Sequence, residues 1–239
     1  MTAPDWITPT LFDARDIAAG FTLRGFAPVS LSRDDTRARL GERVGFEHVA
    51  SVGQVHGADV AVVSGGGHVE AHDGVVTADR GVLLTVVAAD CALVLLADAE
   101  AGVVGACHSG WRGTVSGVLG ETVRAMAGLG AAPGRTRAWL APCISPSAFE
   151  VGEEVAAQFR PDVVVRRPEW PRPHVDLQAE LRAQLAEAGV PAANVEADGS
   201  CTLGESERFY SYRGEGGTAG RMLGFIGLRP GADATQARL

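Results

Sequence analysis

The chain has 239 residues, 46% of them hydrophobic and 21% charged, the balance of an ordinary globular protein. A net charge of −8 argues against broad binding to nucleic acid or anionic membrane, which needs a basic footprint. All 21 basic residues are arginine, which excludes a Schiff-base lysine and a P-loop lysine. The length allows one large domain or two small ones and needs no staples to hold a core. The cysteines, Cys91, Cys107, Cys143 and Cys201, form no C-x-x-C pair, and the start MTAPDWITPTLFDARD carries acids and no apolar signal core. A reducing, cytoplasmic setting with free thiols is the expectation. No apolar run of about 18 residues exists. The nearest, residues 81–97, is broken by Asp90 and reads as paired buried strands.

Up to residue 50 the chain is weakly patterned, apart from a short charged helix predicted at residues 34–43 (DDTRARLGER). Residues 49–63 alternate around QVHGADVAVV, which predicts a strand, a turn at Gly57 and a second strand. The glycines at 65–67 predict a loop. Residues 82–88 (VLLTVVA) predict a buried strand, interrupted by Asp90 and Cys91 and followed by another at 93–96 (LVLL). A third strand, 103–106 (VVGA), ends at His108. Residues 109–113 (SGWRG) predict a turn and 114–126 a helix. A short strand at 137–140 (RAWL) runs into a loop at 141–146, then a short helix at 153–159 and a surface segment at 161–173. Asp176 is a good N-cap for a helix with Leu177, Leu181 and Leu185 on one face and Gly189 as its stop. Residues 194–197, 208–212 and 222–228 predict strands, the last two closing the fold. Mixed strands and helices without a linker or repeat predict layered α/β or α+β packing.

Three polar groups stand at the ends of apolar strands: His56 in QVHG, Cys91 in AADC and His108 in CHSGWRG. Such groups are delivered to a common rim by a rigid scaffold. Two imidazoles, a thiolate and an open position suit catalytic zinc, whose bound water has a pKa lowered towards about 7. The plainer alternative is a small buried cysteine and two hydrogen-bonded core histidines. Asp90 is a turn residue capping backbone amides, the commoner role, or a general acid/base. Arg112 beside Trp111 at a helix start suits phosphate together with backbone N–H groups, or is a plain exposed arginine. Arg213 and Arg221 flank GEGGTAG, which resembles an anion nest or is a turn between strands. His68 and His72 are spaced four apart but follow three glycines, so a helical metal pair is not expected. His48 and His174 read as incidental, Cys107 and Cys143 as structural, and Cys201 fits either role.

The ordered runs QVHGADV, ADCALVLLAD, GACHSGWRGT, APCISPSAFEVGEEV and CTLGESERFYSYRGEGGTAGRMLGFIGL resemble the YfiH family, also called laccase-domain or polyphenol-oxidase-like proteins. Their order and spacing match over residues 52–228. The resemblance implies a single domain over residues 1–239, with 1–15 and 230–239 peripheral, folded as a four-layer α/β/β/α sandwich with mixed sheets. It implies that His56, Cys91 and His108 bind a metal, zinc rather than copper; these three and Asp90 are the expected catalytic residues. It implies a purine nucleoside phosphorylase acting on adenosine, inosine and methylthioadenosine, with adenosine deaminase activity; an older name for the family is copper-dependent polyphenol oxidase. Expected partners are nucleoside and phosphate, held by Arg112, Arg213, Arg221 and Gln54, with no nucleic acid and no membrane. A monomer is expected, with a dimer as the alternative. The sequence departs from the family at TLRGFAPVS (residues 22–30), where a Thr-Arg and Gly-Gly-Val-Ser are usual. It also has HSGWRG for HAGWRG, Gly214 for a second arginine and Leu93 for a proline.

Counting ligands separates the activities. A laccase-type centre needs on the order of ten histidines; the chain has six, too few for a full multicopper centre within one chain. Zinc deaminases use an H-x-E glutamate, whereas Ala58 and Gly110 stand two residues after His56 and His108. That leaves Asp59 or Asp90 as acid/base. Phosphorolysis asks for arginines and backbone amides around phosphate and stabilisation of the departing purine. Two other classes remain open: a metal-free Cys91–His108 hydrolase acting on a cell-wall precursor, and a nucleoside-binding protein without turnover.

Overall fold

The computed structural model describes residues 5–27 and 32–231. Residues 28–30 of the divergent early segment, and 1–4 and 232–239 of the expected peripheral ends, lie outside the described residues. Strands β1 (Trp6–Ile7) and β2 (Ile17–Thr22) precede helix α1 (Arg33–Val44). Seven strands follow: β3 (His48–Val52), β4 (Val60–Val62), β5 (Gly67–Val69), β6 (Gly74–Thr77), β7 (Val82–Ala88), β8 (Ala92–Asp98) and β9 (Val103–Ser109). Helices α2 (Trp111–Val115) and α3 (Val118–Gly128) lead to β10 (Arg137–Leu140), α4 (Glu153–Ala156), and the short pair β11 (Val164–Val165) and β12 (His174–Val175). The chain closes with α5 (Leu177–Glu187), β13 (Val195–Ala197), α6 (Tyr212–Glu215) and β14 (Met222–Leu228).

Two six-stranded sheets face each other, in the orders β1-β2-β14-β7-β3-β5 and β13-β10-β8-β9-β6-β4. Both are mixed: β3 runs parallel to β7 and β5, and β13 and β4 run parallel to β10 and β6, among antiparallel neighbours. The near-continuous apolar runs VLLTVVA and ALVLLAD follow from cover on both faces. Successive side chains alternate between those covers. Leu84 and Val86 meet Leu93, Leu95, Val104 and Trp139 between the sheets. Leu83 and Val87 pack outward with Leu40 of α1, Phe46 and Phe225. Val94 and Leu96 pack outward against Leu119 and Met126 of α3 and Leu181 and Leu185 of α5. The layers are therefore α/β/β/α, as the resemblance implied.

Strands β7, β10 and β14 have the predicted bounds, and Asp176 caps α5 by accepting the Ala179 N–H at 2.9 Å. Four local predictions are corrected. Strand β2, fully buried beside β14, escaped notice because IAAGFT is built largely of small residues that carry no alternation. Its Gly20 is required by packing, since a Cβ there would lie 2.7 Å from the Phe225 ring. The helix predicted at 114–126 is two helices: α2 begins inside the predicted turn, at Trp111, and Gly117 at φ 82° separates it from α3. Gly67 opens the edge strand β5 rather than ending a loop. Residues 208–212 form no strand, because the Ser211 hydroxyl accepts the Gly214 N–H and caps α6 instead.

Candidate metal centre

Strand register assembles one rim. Leu93 pairs with His108 and Ala92 with Ser109, so Cys91, just before β8, stands beside the end of β9. Residues 89–91 are the corner where the chain crosses from the first sheet to the second. Strands β3 and β7 are parallel, so the loop carrying His56 leaves at the same rim. Gly74 pairs with Cys107, which places Asp73 against His108, whose backbone N–H donates to the Asp73 carbonyl at 2.7 Å.

Ligand atoms of His56, Cys91 and His108 lie within 4.8 Å of one another. The two imidazoles meet edge to face, with centroids 4.8 Å apart and planes at 82°. His56 and Asp90 both adopt the left-handed backbone, at φ 63° and 85°, a conformation that costs a non-glycine residue about 1–3 kcal/mol and collects at functional sites. Burial pushes the Cys91 thiol up, but hydrogen bonds to His108 and His56 outweigh it and bring it down to about 6. Burial pushes the His108 imidazole down, yet Asp73 and Cys91 raise it to about 9. The protein thus favours a thiolate at Cys91 before any cation arrives, and a thiolate is the form a metal requires. One soft sulfur and two imidazoles fit a zinc-type ion. The trio opens into a cleft of about 580 Å³ that is also lined by Trp111, Phe149 and Tyr212.

Residues 32–229 match the family described as multi-copper polyphenol oxidoreductase laccase. The chain belongs to this laccase-domain family. A purine nucleoside phosphorylase of Deinococcus radiodurans is 41% identical over 243 residues, covering 95% of this chain and 92% of that relative. An adenosine deaminase, RL5, from an unknown prokaryotic organism is 39% identical over 160 residues, covering 64% of this chain and 61% of the relative. The crystal structure of YlmD from Geobacillus stearothermophilus matches with a TM-score of 0.86 at 30% identity, covering 96% of this chain and 98% of that one.

In this laccase-domain chain Asp90 is a buried brace. Its carboxylate accepts the Thr202 hydroxyl at 2.7 Å, the Ser211 hydroxyl at 3.0 Å and the Arg213 N–H at 2.7 Å. It lines the cleft, but its oxygens are engaged. Gln54 is engaged as well: its amide both donates to and accepts from the Val87 backbone, at 2.7 Å each way. Arg112 lies over Trp111 at 4.3 Å. Arg213 donates to the Glu150 carbonyl at 3.0 Å, and Arg221 to the Ala219 and Gly220 carbonyls at 2.6 and 2.9 Å. All three arginines line the cleft. Sequence reasoning missed a fourth, Arg33 at the start of α1. Among the described residues none of the four forms an ion pair, whereas Arg24 of the divergent early segment forks onto Glu215 at 2.9 and 2.8 Å, away from the cleft lining.

Sequence reasoning also missed Asp73, whose sole signal is an acid directly before the apolar strand β6. The other histidines stay apart: His68 contacts Ser51, His72 the Glu70 carbonyl, and His174 stacks on Trp170 at 3.8 Å. Cys107 is fully buried, and burial pushes its thiol up to about 12. Cys201 accepts the Ser145 and Gly204 N–H groups at 3.4 Å each.

Packing explains Gly110, the first glycine of HSGWRG. A Cβ there would meet Cys91 Sγ at 2.8 Å and His56 Cδ2 at 3.1 Å. Gly110→Ala should therefore displace ligands rather than unfold the protein, reducing bound metal and lowering turnover on the order of 100-fold, the cost of an ångström-scale misplacement. Gly120→Ala, with nothing within 4 Å of its Cβ, is the control and should leave both unchanged.

Proposed function

We propose that this chain is a zinc-dependent purine nucleoside phosphorylase acting on adenosine, inosine and methylthioadenosine, with adenosine deamination as a second activity at the same centre. The observation that carries it is a single cleft uniting the His56–Cys91–His108 trio, three aromatic rings and four arginines that form no ion pair among the described residues. Trp111, Phe149 and Tyr212 offer faces for a purine. Arg33, Arg112, Arg213 and Arg221 offer planar forks for phosphate, which charge-assisted bonds hold strongly. Among the described residues the one carboxylate lining the cleft is Asp90, whose oxygens are already held by three donors rather than by an arginine side chain. When bound, zinc would supply a Lewis acid and a water of lowered pKa.

Zinc is favoured over a multicopper centre because the trio is the one group of three or more potential ligands among the described residues. A laccase cluster needs several such groups. Phosphorolysis is favoured as the main reaction because Asp59 is exposed and does not line the cleft, which leaves deamination without an obvious free carboxylate. All four thiols are free, which suits a reducing cytoplasm. Among the described residues no helix is long and apolar enough to cross a membrane. We further propose that the chain acts as a monomer.

Elemental analysis combined with a turnover screen tests this directly. About one zinc per chain is expected, with adenine or hypoxanthine released from nucleosides in the presence of phosphate. Base release at the same rate without phosphate sinks phosphorolysis, and full activity after complete metal removal favours the Cys91–His108 hydrolase.

A further inference from the structure

We propose that Asp73 is the positioning residue of the centre, setting the ring of His108 and the backbone of His56 with one carboxylate. The inference rests on the reading of His56, Cys91 and His108 as ligands. Asp73 is completely buried, and its two oxygens serve four donors. Oδ1 accepts His108 Nδ1–H at 2.8 Å and the His56 N–H at 3.0 Å. Oδ2 accepts the Val55 and Gly57 N–H groups at 3.0 and 2.7 Å. Its main chain is committed too: the N–H donates to the Asp59 carbonyl at 3.0 Å and the carbonyl accepts the His108 N–H at 2.7 Å.

Each contact has a consequence at the centre. A carboxylate has no proton to give, so His108 must carry its proton on Nδ1, which leaves Nε2 as the ring's ligand atom. Three successive N–H groups converging on one carboxylate form an anion nest that offsets the left-handed backbone of His56. Without the carboxylate those groups would face a buried polar void, and unmet buried donors are costly. The arrangement also spans the sandwich. His56 follows a strand of the first sheet and His108 lies one residue from the end of a strand of the second, so the spacing of the two imidazoles would otherwise depend on sheet packing alone. Outer partners of ligating histidines act in this way, fixing tautomer and orientation.

Asp73→Asn keeps the size of the side chain but turns one acceptor into a donor. Zinc affinity, measured by chelator competition, should fall about 10–100-fold, the usual cost of losing an outer partner. The visible spectrum of the cobalt-substituted protein should change with it, because ligand geometry changes. Affinity within about twofold of wild type, with an unchanged cobalt spectrum, overturns the inference. Imidazole nitrogen NMR of the wild-type protein decides the case even where the variant does not fold. His108 should carry its proton on Nδ1 in the zinc-loaded protein and in the neutral metal-free ring; a neutral ring protonated on Nε2 overturns the inference. A wild-type protein that takes up no zinc defeats the ligand reading instead, while the nitrogen spectrum still settles the role of Asp73.

Discussion

Cys91→Ala is expected to remove bound zinc and nucleoside turnover together while leaving the fold in place. The thiolate is the one anionic donor of the trio, and the two imidazoles that remain make a weak two-ligand site. The loss should exceed the roughly 10–100-fold cost of disturbing an outer partner. Stability should change little. Cys91 is partly exposed at the corner between sheets, and trimming one sulfur costs about 1 kcal/mol of burial, small against a total of about 5–15 kcal/mol. Elemental analysis, turnover and thermal unfolding on the same sample separate these effects. Unchanged zinc content rejects the ligand assignment, and lost zinc with unchanged turnover rejects the metal dependence.

The second large effect is expected at Arg221. Its guanidinium is anchored by two backbone carbonyls on one nitrogen, and no carboxylate competes for it among the described residues. An arginine held in place but not neutralised is preorganised for an anion, because little side-chain entropy is lost on binding. A charge-assisted hydrogen bond contributes about 1.5–3 kcal/mol, so Arg221→Ala should raise the KM for phosphate about 10–100-fold. The KM for nucleoside should move far less. Arg124→Ala, in an exposed pair with Glu121 on α3, should alter neither. A rise confined to the KM for nucleoside places this guanidinium on the nucleoside rather than on phosphate, and an equal rise in both rejects a phosphate-specific role.

The difference between engaged and available polar groups was invisible in the linear chain. Gln54 and Asp90 sit in the same motifs as His56 and Cys91, and only Asp90 carried a hint of its role, as a turn residue suited to cap backbone amides. The structure shows Gln54 completing a backbone pairing with Val87, and Asp90 tying Thr202, Ser211 and Arg213 to the corner beside Cys91. Asp90 thereby acts on the site through Arg213 and Tyr212, whose helix start it holds. The missed Arg33 stands at the start of a charged helix, and nothing in its neighbours' spacing points to the cleft.

By itself the sequence determined the strands β7, β10 and β14, the capped helix α5 and the layered α/β class, and through the family resemblance it singled out His56, Cys91 and His108 as candidates. These are local properties: apolar alternation, a side chain that can cap, and reactive residues at the ends of apolar runs within ordered motifs. Only the tertiary structure decided that Asp73 joins two of those residues, that Gly110 must lack a side chain, and that four arginines share one cleft. Those facts depend on pairings such as Gly74 with Cys107 and Leu93 with His108. Register between strands is set by packing of the whole sandwich rather than by any short window of sequence. The strand β2 was hidden for the same reason, since its small residues gain their fit from the Phe225 ring on the neighbouring strand.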